Sequence, residues 1–281
     1  MVACGGGGAT AAITTPPPDT TTTKPITWTL VWSDEFDGPA GASVDPAKWG
    51  FDVGDGCPGV CGWGNNEKEY YTNGPENASL DGQGHLAIVA RPAVLNVSCY
   101  YGPCRYTSAK ITTRGKFAAA PGKVEARIRI PAGQGLWPAF WMLGNDFSTV
   151  GWPASGEIDI MENRGSAPNA SNSAIHGPGY FGNTPFAHTN FLPSPFNLTD
   201  DFHVYSVQWD ASHALFYAEP TIHYQVSSSA LQSYGPSILD KPYYLILNLA
   251  VGGNFDGDPK SDAILPATML VDYVRVYTRS K

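Results

Sequence analysis

The stretch KVEARIRI, residues 123–130, sets the fold class: Val124, Ala126, Ile128 and Ile130 alternate with charged side chains. Strand side chains point to opposite faces in turn, so this segment has one apolar face and one wetted face. Working outward, comparable runs recur as TWTLVWSDEF (27–36), HLAIVARP (85–92), YTSAKITTRGKF (106–117), PAFWMLG (138–144), GEIDIMEN (156–163), HVYSVQWD (203–210), IHYQV (222–226), YYLILNLAVGG (243–253) and MLVDYVRVYT (269–278). No helical period is sustained, only Ser229–Tyr234 hints at a short helix, and no internal repeat is visible. The 31 glycines and 24 prolines supply turns between the runs. The expected fold is all-β, a sandwich of two antiparallel sheets.

One run breaks the alternation. SGEIDIMEN, residues 155–163, carries Glu157, Asp159 and Glu162. Glu157 and Asp159 share a face, but strict alternation puts Met161 on that face and Glu162 among Ile158 and Ile160. A lone carboxyl on an apolar, buried face is costly. One extra residue, a β-bulge, returns Glu162 to the acid face. The segment is therefore expected to be a bulged strand presenting a row of acids, which acid/base chemistry on a sugar requires.

Composition narrows the function. At 281 residues the chain can hold one sizeable core. Charged residues make up only 15% and aromatics 12%, with eight tryptophans, which suits a groove lined with rings. The net charge is −8 and no basic run occurs, so nucleic acid is excluded as a partner and a neutral polymer is expected. No apolar run approaches the roughly 20 residues that span a bilayer. Residues 1–25, rich in Gly, Thr and Pro, form a flexible tail or linker, and residues 26–281 form the domain. Cys57, Cys61, Cys99 and Cys104 sit in Gly/Pro-rich segments, and three pairings are open. The local pairs Cys57–Cys61 and Cys99–Cys104 are preferred, and zinc is disfavoured because neither pair has the C-x₂-C spacing. MVACGGGG resembles the end of a bacterial lipoprotein signal, with Cys4 as the anchored residue; an incidental Cys in a tail is the alternative. Secretion or display at the cell surface is expected, and the protein is expected to act as a monomer. Sequons begin at Asn77, Asn96, Asn169 and Asn197 and matter only in a eukaryotic host.

With the acid strand in place, the chain resembles glycoside hydrolase family 16, in particular its laminarinase-like endo-β-1,3-glucanases. The resemblance rests on WSDEFDG (32–38), GWGNNEKEYYT (62–72), YTSAKITTRGKF (106–117), GQGLWPAFWMLG (133–144), GEIDIMEN, IHGPGY (175–180), YLILNLAVGGNF (244–255) and VDYVRVY (271–277), in the family's order. It implies a β-jelly-roll with a substrate cleft across a concave sheet. It also implies Glu157 as nucleophile, Glu162 as general acid/base and Asp159 as their assistant, with no catalytic cofactor. Family members specific for mixed-linked glucan show the shorter EIDIE, so Met161 favours β-1,3-glucan as substrate, with mixed-linked β-1,3-1,4-glucan also accepted. A glucan-binding protein without activity, a transglycosylase and a galactan hydrolase are the alternatives on this scaffold.

The resemblance extends to binding residues. Trp137 and Trp141, four apart and so on one strand face, resemble rings that stack on sugars, while Phe140 and Trp209 read as core. Trp152 is a candidate to cap the cleft. Asn65 and Arg114 match positions that hydrogen-bond glucose on the non-reducing side, and His176 is placed to hydrogen-bond near the acid/base. Many members hold a structural Ca²⁺; the matching positions are Glu35, Gly84 (or Gly82) and Asp272, and oxygen ligands suit that ion. One geometric demand follows from the acid strand. Five extended residues span about 16 Å, whereas retaining chemistry needs carboxyls about 5–5.5 Å apart. The bulge and a concave sheet must close that gap.

Overall fold

A computed structural model describes residues 26–94, 97–193 and 195–280. The tail, Cys4 and the sequon at Asn96 lie outside the described residues. Two sheets pack face to face, one of ten strands and one of seven, with a two-stranded hairpin beside them. The seven-stranded sheet runs, edge to edge, Ala187–Phe191, Ala170–His176, Glu157–Glu162, Leu136–Gly144, Tyr243–Val251, Lys110–Thr112 and Gly50–Phe51. All of its pairings are antiparallel. The core lies between the sheets, where the apolar set of 123–130 meets Phe140, Met142, Ile158, Ile175, Leu245, Leu247 and Leu249. This is the expected jelly-roll, with one exception to its antiparallel rule: Glu69–Tyr71 pairs parallel to Tyr106–Ser108.

Several expectations are refined. The run 106–117 is not one strand: Tyr106–Ser108 belongs to the ten-stranded sheet, and Lys110–Thr112 to the other. The chain crosses between the sheets at Ala109, which is fully buried. The strand Ala170–His176 carried no visible alternation, because Ser171 and Ser173 occupy its inward positions and Ser173 Oγ bonds the Ile160 carbonyl at 2.8 Å. The short helix is Ser228–Gln232, capped by Ser227, whose hydroxyl accepts from the Ala230 N–H. The cysteines pair locally, Cys57 with Cys61 and Cys99 with Cys104. Asn77 is fully buried, its amide donating to the Val89 carbonyl and Thr107, so that sequon serves the interior. No helix among the described residues is long and apolar enough to cross a membrane.

Candidate active site

The acid strand is Glu157–Glu162, and its register contains the bulge. Against Leu136–Gly144, Leu143 faces Glu157, Trp141 faces Asp159, and then Phe140 faces Met161 and Ala139 faces Glu162. Ile160 has no opposite number there, so two consecutive side chains, Ile160 and Met161, both enter the core at 1% and 0% exposure. Two residues on one strand opposing one on its partner is the bulge geometry. The sequence reading assigned the extra residue to Met161; the pairing leaves Ile160 as the unmatched one. The effect is the one required, and Glu162 returns to the face of Glu157 and Asp159. Gly156, at φ +75°, turns the chain into this strand; a Cβ there would come within 2.6 Å of the Tyr243 hydroxyl oxygen.

Register across the sheet lays out the site in rows. In line with Glu162 lie Ala139, Asn248 and Lys110; in line with Asp159 lie Trp141, Ile246 and Thr112; in line with Glu157 lie Leu143 and Tyr244. On the other side, His176, Ala174 and Asn172 stand opposite Glu157, Asp159 and Glu162. His176 Nε2 sits 3.1 Å from Asp159 Oδ2 and 3.8 Å from Glu157 Oε1. Trp137 donates its Nε1–H to Glu162 Oε1 at 2.9 Å and stacks on Phe255, 4.7 Å between ring centres. Burial pushes Glu157, Asp159 and Glu162 each up to about 8. The charge of Asp159 adds to that rise at both glutamates, and His176 opposes it. The titration of these crowded carboxyls therefore belongs to the set rather than to any one of them.

The sequence reading brought together Glu157, Asp159, Glu162, Trp137, Trp141 and His176, and the structure does the same. Trp152 is 44% exposed and lies 6.4 Å from His176, at the rim. Arg114 stands at the far edge, bonded to Asp52 and 5.9 Å above the Tyr244 ring. Asn65 is held by its amide on Glu67 Oε1 at 3.2 Å. Phe140 and Trp209 are core, as expected. The calcium positions fare differently. Glu35 is bound by Arg275 at 2.7 and 3.1 Å, and Asp272 by Arg127 at 2.6 Å, on the ten-stranded sheet. Each of these two carboxylates pairs with an arginine, and no role for the ion is drawn.

Sequence reasoning missed one wall of the site. Lys110 is 8% exposed, with its ammonium 4.4 Å from the Trp63 ring and 4.9 Å from the Trp141 ring. Behind it a hydrogen-bonded chain runs from Asn65 to Glu67, from Tyr71 to Glu67 at 3.3 Å, from Asn248 to the Tyr71 hydroxyl at 3.1 Å, and from Trp141 to Asn248 at 2.7 Å. Burial raises Glu67, against the pull of Lys110, and raises Glu69 further. Trp63 itself sits at φ +52°, a left-handed conformation costing a residue with a Cβ about 1–3 kcal/mol. The signal was available in GWGNNEKEYY, where two glutamates flank a lysine beside aromatics, but only the fold places Lys110 between the indoles.

These features match a known family. The model for glycosyl hydrolases family 16 matches residues 65–275. The chain belongs to glycoside hydrolase family 16. This family 16 chain is 38% identical over 263 residues to the glucan endo-1,3-beta-glucosidase A1 of Niallia circulans, covering 88% of its own length and 37% of that relative's. It therefore spans about a third of that larger protein. It is 38% identical over 260 residues to a beta-glucanase of Rhodothermus marinus, covering 89% of itself and 85% of the relative. Its fold superposes on the laminarinase catalytic domain of Thermotoga maritima with a TM-score of 0.84 at 42% identity, covering 90% of this chain and 99% of that one. The family's hydrolysis needs no catalytic cofactor.

Proposed function

We propose that this family 16 chain is an endo-acting, retaining hydrolase of β-1,3-glucosidic bonds in glucans such as laminarin, with mixed-linked β-1,3-1,4-glucan as a further substrate. The observation that carries the reading is the bulge that sets Glu162 on one face with Glu157 and Asp159, beside His176. Glu157 as carboxylate attacks the anomeric carbon while Glu162 gives its proton to the departing glycosidic oxygen, so the C–O bond breaks as the acyl-type C–O bond to Glu157 forms. Glu162, now a carboxylate, takes a proton from water; that water attacks the same carbon and releases Glu157. Two inversions retain the anomer. Asp159, between them and against His176, holds the shared negative charge, and the Trp137 hydrogen bond orients Glu162.

The inserted residue, absent from the shorter EIDIE pattern, supports β-1,3-glucan as the main substrate. Two local disulfides support action in an oxidising compartment, outside the cell or at its surface, where a lipid on Cys4 would tether it. We take the working form to be a monomer, which light scattering of the purified chain checks. Initial rates on laminarin, barley β-glucan, xyloglucan and agarose, side by side, test the substrate. Loss of laminarin hydrolysis in Glu157→Gln is expected; equal rates in both proteins would sink the reading. A glucan-binding role without chemistry is disfavoured by the presence of all three acids.

A further inference from the structure

Glu157, Asp159 and His176 converge on one point. Glu157 and Asp159 take alternate positions of one strand, and His176 stands opposite Glu157 on the next, so paired strands rather than loops hold all three. One donor atom from each residue lies within 4.8 Å of the other two. His176 Nε2 is 3.1 Å from Asp159 Oδ2 and 3.8 Å from Glu157 Oε1. Donors held at about 2.0–2.2 Å around one tetrahedral ion sit roughly 3.3–3.6 Å apart. A small rotation of the Glu157 side chain therefore closes the set. Asp159 is 4% exposed, yet its Oδ2 makes no hydrogen bond. A buried carboxylate oxygen left without a donor is costly, and this one is aimed at the imidazole of the set rather than at water. Glu162 Oε1 is already engaged by the Trp137 N–H, which leaves three protein donors.

We propose that Glu157, Asp159 and His176 form a binding site for one divalent first-row transition ion of the zinc class, and that the ion arrests the reaction while it is bound. The donor set selects the ion. One imidazole with two carboxylates suits Zn²⁺ and its neighbours, whereas Ca²⁺ takes six to eight oxygens. Three protein ligands with a further position open is the layout of zinc sites that exchange a ligand. Arrest follows from charge and from occupancy. Coordination withdraws the Glu157 lone pair that attacks the anomeric carbon, and a dication opposes the positive charge that builds on the sugar ring in the transition state. The arrest rests on the proposed function; the site itself rests only on the geometry of the three side chains.

Calorimetric titration of the full chain with zinc chloride tests the site, and inhibition of laminarin hydrolysis by the same salt tests the arrest. For His176→Gln and for Glu157→Gln we expect Zn²⁺ affinity to fall by at least about 10–100-fold, the range lost when even an outer partner of a metal ligand is removed. His188→Gln, which alters the other close imidazole pair, His188 and His223 with ring centres 5.8 Å apart, should leave the affinity as it was. The inhibition constant for Zn²⁺ should rise by the same factor in His176→Gln as its dissociation constant, and EDTA should restore the wild-type rate. Equal Zn²⁺ affinity in the wild type and both ligand variants, or a loss seen with His188→Gln instead, overturns the site. Zn²⁺ bound through these residues with laminarin hydrolysis undiminished overturns the arrest. A wild type inert toward laminarin overturns the proposed function instead, and the calorimetry still decides whether the three side chains hold the ion.

Discussion

Replacing Trp137 by Phe is expected to move the alkaline limb of the pH–rate profile upward. The indole N–H donates to Glu162 Oε1 at 2.9 Å, and it favours the ionised carboxyl against burial and the charge of Asp159. A hydrogen bond to a charged group contributes about 1.5–3 kcal/mol, and 1.36 kcal/mol corresponds to about one pKa unit. Deleting the donor would raise the pKa of Glu162 by about 1–2 units, and we take the lower figure because the carboxyl is partly open to water. The sign follows from its role. A general acid works while protonated, so a higher pKa carries activity to higher pH. Phe keeps a ring against Phe255, preserving most of the stack at 4.7 Å. The assay is kcat/KM on laminarin from about pH 4 to about pH 10 at constant ionic strength. Trp137→Ala should show the same displacement with a higher KM, since it also removes the ring. A limb that stays in place, or moves down, refutes the claim that this bond acts on the proton of Glu162. The limb reports the coupled carboxyl set rather than one residue, so its direction is the deciding quantity.

Three further outcomes are expected. Lys110→Met removes a cation that favours ionised Glu157, so the acidic limb should rise by about 0.5–1 pH unit, with Lys110→Arg restoring it; identical acidic limbs would dismiss the electrostatic role. Asn248→Ala leaves the Trp141 N–H without its acceptor, at about 1–3 kcal/mol, and removes the bond that the Tyr71 hydroxyl accepts while it still donates to Glu67. Calorimetry should show a Tm lower by roughly 4–8 °C, and an unchanged Tm would contradict the relay. Deleting Met161 removes the extra residue, so that strict alternation alone keeps Glu162 on the face of Glu157 and Asp159. Glucan hydrolysis should therefore survive in a protein whose far-ultraviolet dichroism still reports β-sheet, and a loss of about the 10²–10⁴-fold that general acid–base catalysis contributes would discredit the bulge as a device that only compensates for the extra residue.

Much of the site was legible because its signals are short-range. The acid row, the need for a bulge and the two indoles of LWPAFW are properties of single strands, where side-chain direction follows from period two. Local cysteine pairs, four and five residues apart, are equally close in sequence. The strands Ala170–His176 and Ala187–Phe191 were not legible, because one face meets the cleft and the other packs serines and a histidine, leaving no apolar alternation. Two long-range ion pairs were hidden for a similar reason. Glu35 and Asp272 look like free carboxylates in sequence, but their ion pairs come from Arg275 and Arg127, residues far along the chain.

By itself, then, the sequence determined the all-β class, the three carboxyls, the residue count that forces a bulge, and the family resemblance. Each depends on periodicity or on order along one strand. Only the tertiary structure decided which strand lies beside which. That choice put Lys110 in line with Glu162 across two intervening strands, split 106–117 between two sheets, and set Asn172 and Thr189 beyond the acids. The physical reason is that register between distant strands is fixed by burying every inward face at once, a condition on the whole core rather than on any one segment.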